Sequence, residues 1–324
     1  MDRRRALGIA LIVTSAAGFG SAAVLAAPVY ATGVDWLELV LWRFLIGSLL
    51  AWTWILVSAR RRAAVRRLSR RQIAAAIALG TLYTGNAGTY YAGLETVPAA
   101  LAGILVYTYP VIVALLSIRF ATRLHGRRPW IALVLALLGV ALAVGSIDVA
   151  TAPPVLGLAL VMISPVIYSV WIILAARLSG ERSDRLGHEA SGTVASDAAV
   201  TTAIMISATA AGYLVASFVG GRAVGPGAIP SAAWPGLLAI AFLSSFLAIQ
   251  TFYAGSRRIG AAQAALVSTV EPVITVVLAW LVLSQGLEPL QFVGGALILV
   301  GVVLSQTAPR GSGVAKVSPA VAPR

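Results

Sequence analysis

The chain has 324 residues, 59% of them hydrophobic and only 11% charged, and its mean hydropathy is +0.92. That balance excludes a soluble domain and implies an all-α integral membrane protein. The net charge of +13 does not point to nucleic acid, because 23 of the 24 basic residues are arginines set in short clusters between apolar runs, as topology signals are. With no cysteine there is no disulfide framework, thiol nucleophile or thiolate metal site. His125 and His188 both fall in basic polar segments, so neither a buried metal site nor a cofactor is expected.

Arg3, Arg4 and Arg5 precede an apolar stretch with small residues near Ala27, the layout of a signal peptide. The stretch is long for that role and has a partner later in the chain, which favours a retained first span, Ala6 to Ala27. Nine more candidates follow: Leu37 to Ser58, Gln72 to Leu94, Ala99 to Ile118, Trp130 to Ile147, Val155 to Ala176, Ala198 to Gly220, Ala233 to Ala254, Ala261 to Leu283 and Leu290 to Ser305. The expected fold is therefore ten transmembrane helices with short connections, and residues 307–324 form a Pro-, Gly- and Ser-containing tail that reads as disordered.

Charge placement tests this count, since one miscounted span inverts every later loop. With the N-terminus in the cytoplasm, 22 of the 24 basic residues fall inside, Arg222 falls outside and Arg43 lies within a span. Lys and Arg set orientation while acids contribute little, so the expectation is a multi-pass protein of the cell membrane, inner or plasma, with both termini cytoplasmic.

The ninth span, Ala261 to Leu283, carries Glu271 near its midpoint and Pro272 directly after it. Ten residues of helix put the carboxyl about 15 Å into a hydrocarbon core ~30 Å thick. An acid at that depth costs roughly 2.5 to 3.5 kcal/mol on insertion scales, so it faces protein or a wet cavity rather than lipid. Proline removes a backbone donor and crowds the carbonyl four residues back, which kinks the helix and frees polar backbone groups. A broken helix with an acid at mid-depth suits the central site of a secondary transporter. The plainer alternative is a packed carboxyl bonded to a hydroxyl on a neighbouring helix.

The chain repeats itself. A shift of 162 positions lays Thr89-Tyr-Tyr-Ala-Gly93 on Thr251-Phe-Tyr-Ala-Gly255 and Pro110-Val-Ile112 on Pro272-Val-Ile274. A shift of 149 overlays Gly8 to Ser15 on Gly157 to Ser164 and Phe19 on Tyr168, which pairs the first span with the sixth. Five spans per half is an odd number, so the second half, residues 149–306, inserts upside down relative to the first, residues 1–148. The loops agree: Glu95 to Pro98 has no basic residue, and its counterpart Arg257 to Gly260 has two. Inverted repeats around a mid-depth site are a transporter architecture with alternating access.

These residues resemble the EamA-type family of the drug/metabolite transporter (DMT) superfamily. The shared features are Phe19-Gly20 in a small-residue-rich first span, Trp42-Arg43-Phe44 in the second, the Ala-Ala-x-Ala stretches at Ala99 and Ala261, Glu271-Pro272, and the block Gly294 to Gly301. The family often carries Leu-Gly-Glu late in the ninth span, where this chain has Leu283-Ser-Gln285 and so no acid. The resemblance implies two inverted five-helix repeats and export of small metabolites, commonly amino acids.

Candidate substrate-binding residues follow from position. Tyr83, Asn86 and Tyr90 share one helix face and either line a cavity or bond helices together. Tyr107 and Tyr109 precede Pro110, at the repeat position matching Glu271-Pro272, which suggests a tyrosine facing the carboxyl across the pseudo-symmetry. Tyr168 and Trp171 stack on a ligand or pack. Gln250 and Gln263 are weaker candidates near the inner ends of their spans. Arg43 either snorkels outward, pairs with Glu38 or Asp35, or recognises an anion.

Three function classes remain. A secondary carrier of a small organic solute fits best; no Gly-x-x-x-x-Gly-Lys loop is present and the one lysine is Lys316 in the tail, which excludes ATP hydrolysis by this chain. Glu271 offers a site for a coupled proton, and Arg43 a second charge site, although facilitated diffusion needs neither. An intramembrane enzyme needs paired acids, a Ser/His or Ser/Lys set, or clustered ligands, and one deep acid stands alone. A membrane scaffold fits everything except the buried acid and polar stripe. The expected partners are the lipid bilayer, a small solute and a proton; the oligomeric state is open, and a monomer is compatible.

Overall fold

The computed structural model describes residues 3–93, 96–97, 105–143, 153–178, 197–283 and 289–306, and all regular structure among them is helical. In chain order the helices are α1 (Arg3–Tyr30), α2 (Trp36–Val57), α3 (Ala59–Arg66), α4 (Arg70–Gly93), α5 (Tyr109–Phe120), α6 (Arg128–Ala143), α7 (Val155–Leu178) and α8 (Ala198–Val219). Then α9 (Trp234–Ile240), a π-helical segment (Ala241–Ala248) and α10 (Ile249–Ile259) run end to end, followed by α11 (Ala261–Ser268), α12 (Glu271–Leu283) and α13 (Pro289–Gln306).

Six stretches are long and apolar enough to cross a membrane: α1, α2, α7, α8, Ser231–Ile259 and Ala261–Val282. Tyr109–Phe120, Arg128–Leu142 and Phe292–Leu304 are apolar but shorter. At 24 residues α4 is long enough, yet its Thr, Asn and Tyr side chains keep it out of that set. That polarity has a use, because α4 walls the interior site. Leu49, Val134, Leu238 and Leu299 stand exposed on the bundle's flanks, the surface a lipid-facing protein presents and a soluble one avoids. The candidate span Ala99 to Ile118 lies partly outside the described residues, as do the last residues of the third and fifth spans and the tail.

Backbone ends are satisfied locally where helices meet the interface. Asp35 caps α2 by accepting from the Glu38 amide at 2.9 Å while the Glu38 carboxylate accepts from the Asp35 amide at 3.0 Å, a reciprocal capping box. Asp197 caps α8 by accepting from the amides of Ala199 and Val200, without a reciprocal bond. Asp35 also pairs with Arg222, tying the turn before α2 to the turn after α8.

Those contacts fix which helix ends share a side. Arg3, Ser58, Gln72, Asp197 and Arg257 line one cavity, so the starts of α1, α4 and α8 and the ends of α2 and α10 lie together at an arginine-rich end. At the other end Asp35 meets Arg222, and Gly157 meets Thr96. Hence α1 starts at the arginine-rich end and its repeat partner α7 starts at the opposite one, while α2 and α8 are reversed in the same way. The last helices of the two halves run antiparallel, with Gly139 of α6 against Gly294 and Ile298 of α13, and Gly301 against Ala132 and Ala136. The halves are inverted. Small residues permit this closeness: a Cβ on Gly139 would lie 2.6 Å from the Gly294 carbonyl oxygen.

The ninth candidate span is two helices. Its first part ends at Ser268, Thr269 and Val270 turn with 3₁₀-type bonds to Leu266 and Val267, and α12 begins at Glu271 with Pro272 in its second position. Proline's missing N–H is harmless in a first turn, so the chain restarts the helix there instead of kinking through it. The repeat position behaves alike, since Tyr107 and Thr108 turn and α5 begins at Tyr109 with Pro110 second.

Candidate functional site

Glu271 is the first residue of α12, so its carboxyl sits where the peptide dipoles present their positive end. Helix α1 fixes this start. A Cβ on Gly20 would fall 2.8 Å from Thr275 Oγ1 and 3.1 Å from the Glu271 carbonyl oxygen, and the Thr275 hydroxyl lies 3.2 Å from the Gly20 carbonyl and 3.1 Å from that of Glu271. The Phe19-Gly20 pair thus allows the first span to lie directly against the broken helix.

Aromatic residues from several helices gather on the carboxyl's other side. The Tyr107 side chain faces Glu271 within hydrogen-bonding reach. Tyr83, Tyr90, Tyr109 and Tyr168 all lie close enough to feel its charge. The Tyr109 and Ser268 hydroxyls are 2.6 Å apart, which links α5 to the last turn of α11. Rings then pack in a chain: Tyr109 edge-on to Tyr168 at 4.9 Å, Tyr168 stacked on Trp171 at 5.8 Å, and Trp171 against Tyr83 at 5.2 Å. Phe252 of α10 closes the cluster. Inside it the Trp171 indole Nε1 is buried with no acceptor.

The sequence candidates therefore separate. Tyr83, Tyr90, Tyr107, Tyr109, Tyr168, Trp171 and Glu271 come together. Asn86 accepts from the Ser164 hydroxyl at 2.9 Å, a buried bond between α4 and α7. Gln250 donates to the Ala199 carbonyl at 3.3 Å and lines the arginine-rich cavity instead. Gln263 is half-buried in the first turn of α11.

Arg43 neither snorkels nor pairs with Glu38 or Asp35, because those two acids are engaged in the capping box and with Arg222. Its side chain is 4% exposed. The guanidinium donates to Ser245 Oγ at 2.9 Å, to the Tyr91 hydroxyl at 2.9 Å and to Ser244 Oγ at 2.7 Å, and it lies 5.0 Å from the Phe44 ring centroid. Both serines belong to the π-helical segment, a geometry common at functional sites. No carboxylate among the described residues pairs with it. Sequence reasoning missed Tyr91, Ser244, Ser245 and Phe252; the Ser244-Ser245 pair inside an apolar span was the available signal.

At the arginine-rich end a cavity of about 1790 Å³ descends from exposed Arg3 and Arg60 to buried Gln250, between α1, α2, α8 and α10. Chemically, the interior offers one carboxyl, a fence of phenol hydroxyls and aromatic faces. No cluster of three or more His, Cys, Asp or Glu occurs among the described residues.

Helices with lipid-facing flanks, arranged as two inverted halves around an interior polar cluster, define a multi-pass membrane protein. Residues 6–145 and 188–307 both match the EamA-like transporter family. The chain belongs to that family, and hence to the drug/metabolite transporter superfamily, whose work is moving small molecules through lipid. No functionally curated protein matches the sequence. Of 29 matching solved chains, one crystal structure superposes with a TM-score of 0.73 at 19% identity, covering 93% of this chain and 96% of the other. That likeness concerns the fold alone.

Proposed function

We propose that this protein is a secondary, non-ATP-driven carrier that exports a small organic metabolite, an amino acid or a related compound, by alternating access. In this reading ten spans cross the cell membrane with both termini in the cytoplasm, the halves being residues 1–148 and 149–306. One half rocks against the other around the site at Glu271, and the solute enters through the arginine-rich cavity. The substrate-contacting residues are Tyr83, Tyr90, Tyr107, Tyr109, Tyr168 and Trp171, with Glu271 as the proton or charge site. The observation that carries the reading is the placement of a carboxyl at an interrupted helix, at the seam of two inverted halves and among tyrosines from both. A residue kept only for packing gains nothing from standing at a helix break, where the backbone is already short of partners.

The test is solute counterflow in proteoliposomes with a panel of labelled metabolites, on the wild type and Glu271→Gln. The expected result is accumulation of at least one compound by the wild type, with a pH-dependent rate. The amide variant, similar in shape, is expected to keep its fold and lose the pH dependence. Absence of exchange for every compound, with the fold verified, would reject the carrier.

A further inference from the structure

The arginine-rich cavity is a different surface from the tyrosine cluster, and the charge of its described lining residues is one-sided. Arginines from three separate segments converge on it: Arg3 and Arg4 at the N-terminus, Arg60, Arg61 and Arg67 around α3, and Arg257 and Arg258 at the end of α10. Asp197 is the one acid among the described lining residues, and it is engaged in capping α8. Topology alone requires basic residues on one side of the membrane, not their convergence on one concavity. Arg119, Arg123 and Arg177 satisfy the topology rule without lining it. Deeper in the protein Arg43 adds a buried guanidinium whose three hydrogen-bond acceptors are all neutral hydroxyls.

A concave surface of one charge sign with low-dielectric walls raises the local concentration of the opposite ion by about 10- to 1000-fold. Guanidinium groups match the planar oxygens of carboxylates and phosphates with paired donors. We propose that this cavity is an oxyanion-binding vestibule, and that the carried solute is an anion bearing a carboxylate or phosphate group. This rests on the carrier reading above and narrows its substrate class. The same chemistry is offered by a phosphate-bearing lipid headgroup entering from the bilayer, so the test separates the two.

Trp54 supplies the readout. Its ring lies in the cavity wall with the Arg61 guanidinium 3.6 Å from the centroid, so an anion drawing Arg61 away changes the indole's surroundings. The full-length protein is placed in phosphatidylcholine nanodiscs and titrated with succinate and with inorganic phosphate at constant ionic strength, with tetramethylammonium as control. Trp54→Phe isolates this signal from the other tryptophans. A saturable change with both anions and none with the cation is expected. Arg60→Gln/Arg67→Gln, both at exposed positions, should weaken it about tenfold, whereas Arg119→Gln/Arg123→Gln should leave it unchanged.

No saturable change in the folded wild type overturns the proposal, as does equal weakening in both variant pairs. The measurement is repeated in discs containing phosphatidylglycerol, and a change in Trp54 emission on including that lipid, with no response to either soluble anion in either disc, assigns the vestibule to lipid and also overturns the proposal. Counterflow of the same two anions completes the test. Binding together with exchange supports the proposal, and exchange of neutral solutes without anion binding removes the vestibule while sparing the carrier. If no solute of any kind is exchanged, the carrier reading falls and the titration alone decides the oxyanion site.

Discussion

Replacing Arg43 by lysine keeps the charge and removes the fork. The guanidinium reaches three acceptors in different directions, Ser245 and Tyr91 at 2.9 Å and Ser244 at 2.7 Å, from three separate nitrogens. A lysine ammonium is a single point with the wrong reach, so it retains one of these hydroxyls. Bonds to a charged group are worth roughly 1.5 kcal/mol each at the low end, so two lost bonds cost about 3 kcal/mol. Because Ser244 and Ser245 sit on the π-helical segment of the second half, and Arg43 and Tyr91 on helices of the first, that loss loosens the seam. The assay is reversible unfolding in mixed micelles followed by far-ultraviolet circular dichroism, for Arg43→Lys, Ser245→Ala and the pair. The serine change should cost about 1 kcal/mol less in the lysine background than alone, since the bond is already gone. If Arg43→Lys falls within about 0.5 kcal/mol of the wild type and Ser245→Ala costs the same in both backgrounds, the cluster is not an energetic unit and the reasoning fails.

Gly20→Val drives a side chain into Thr275 and the backbone of Glu271, with an expected loss of about 1 to 3 kcal/mol by thermal unfolding in detergent; unchanged stability would mean α1 is not seated as described. Asn86→Leu removes the acceptor for Ser164 and should cost about 1 kcal/mol, within the range for interhelical polar bonds in membranes, and no loss would return Asn86 to the list of solute contacts. Tyr107→Phe should leave folding intact and displace the pH profile of exchange without abolishing it, because it removes the hydroxyl facing the carboxyl and leaves the carboxyl in place. The absence of native cysteine makes topology easy to test: an impermeant thiol reagent should reach Ala63→Cys from one face of the membrane and Gly225→Cys from the other. Labelling of both from the same face contradicts the arrangement of α2, α4, α8 and α9.

Much of this architecture was legible in the chain. Helical class, the inversion of two halves and the break beside Glu271 followed from hydropathy, arginine placement, an internal repeat and a proline, each a local property that water, lipid or backbone geometry reads residue by residue. That a tyrosine stands near Glu271 was also foreseeable, because the repeat puts Tyr109-Pro110 and Glu271-Pro272 in equivalent places; that Tyr107 rather than Tyr109 faces the carboxyl was not. Partner choice was another matter. Arg43 meets Ser245 across 202 positions of sequence, and nothing local distinguishes that outcome from snorkelling or from pairing with Glu38 five residues earlier on the same helix. Asn86 and Tyr90 share a helix face, yet one bonds Ser164 and the other stands near the carboxyl, because a few degrees of helix rotation decide which neighbour each side chain meets. The gathering of distant arginines around one cavity likewise exists only once α1, α3 and α10 have packed. Partition between water and lipid is decided segment by segment, so the sequence alone determines it; contacts between helices depend on the shapes of all the others, so only the assembled bundle does.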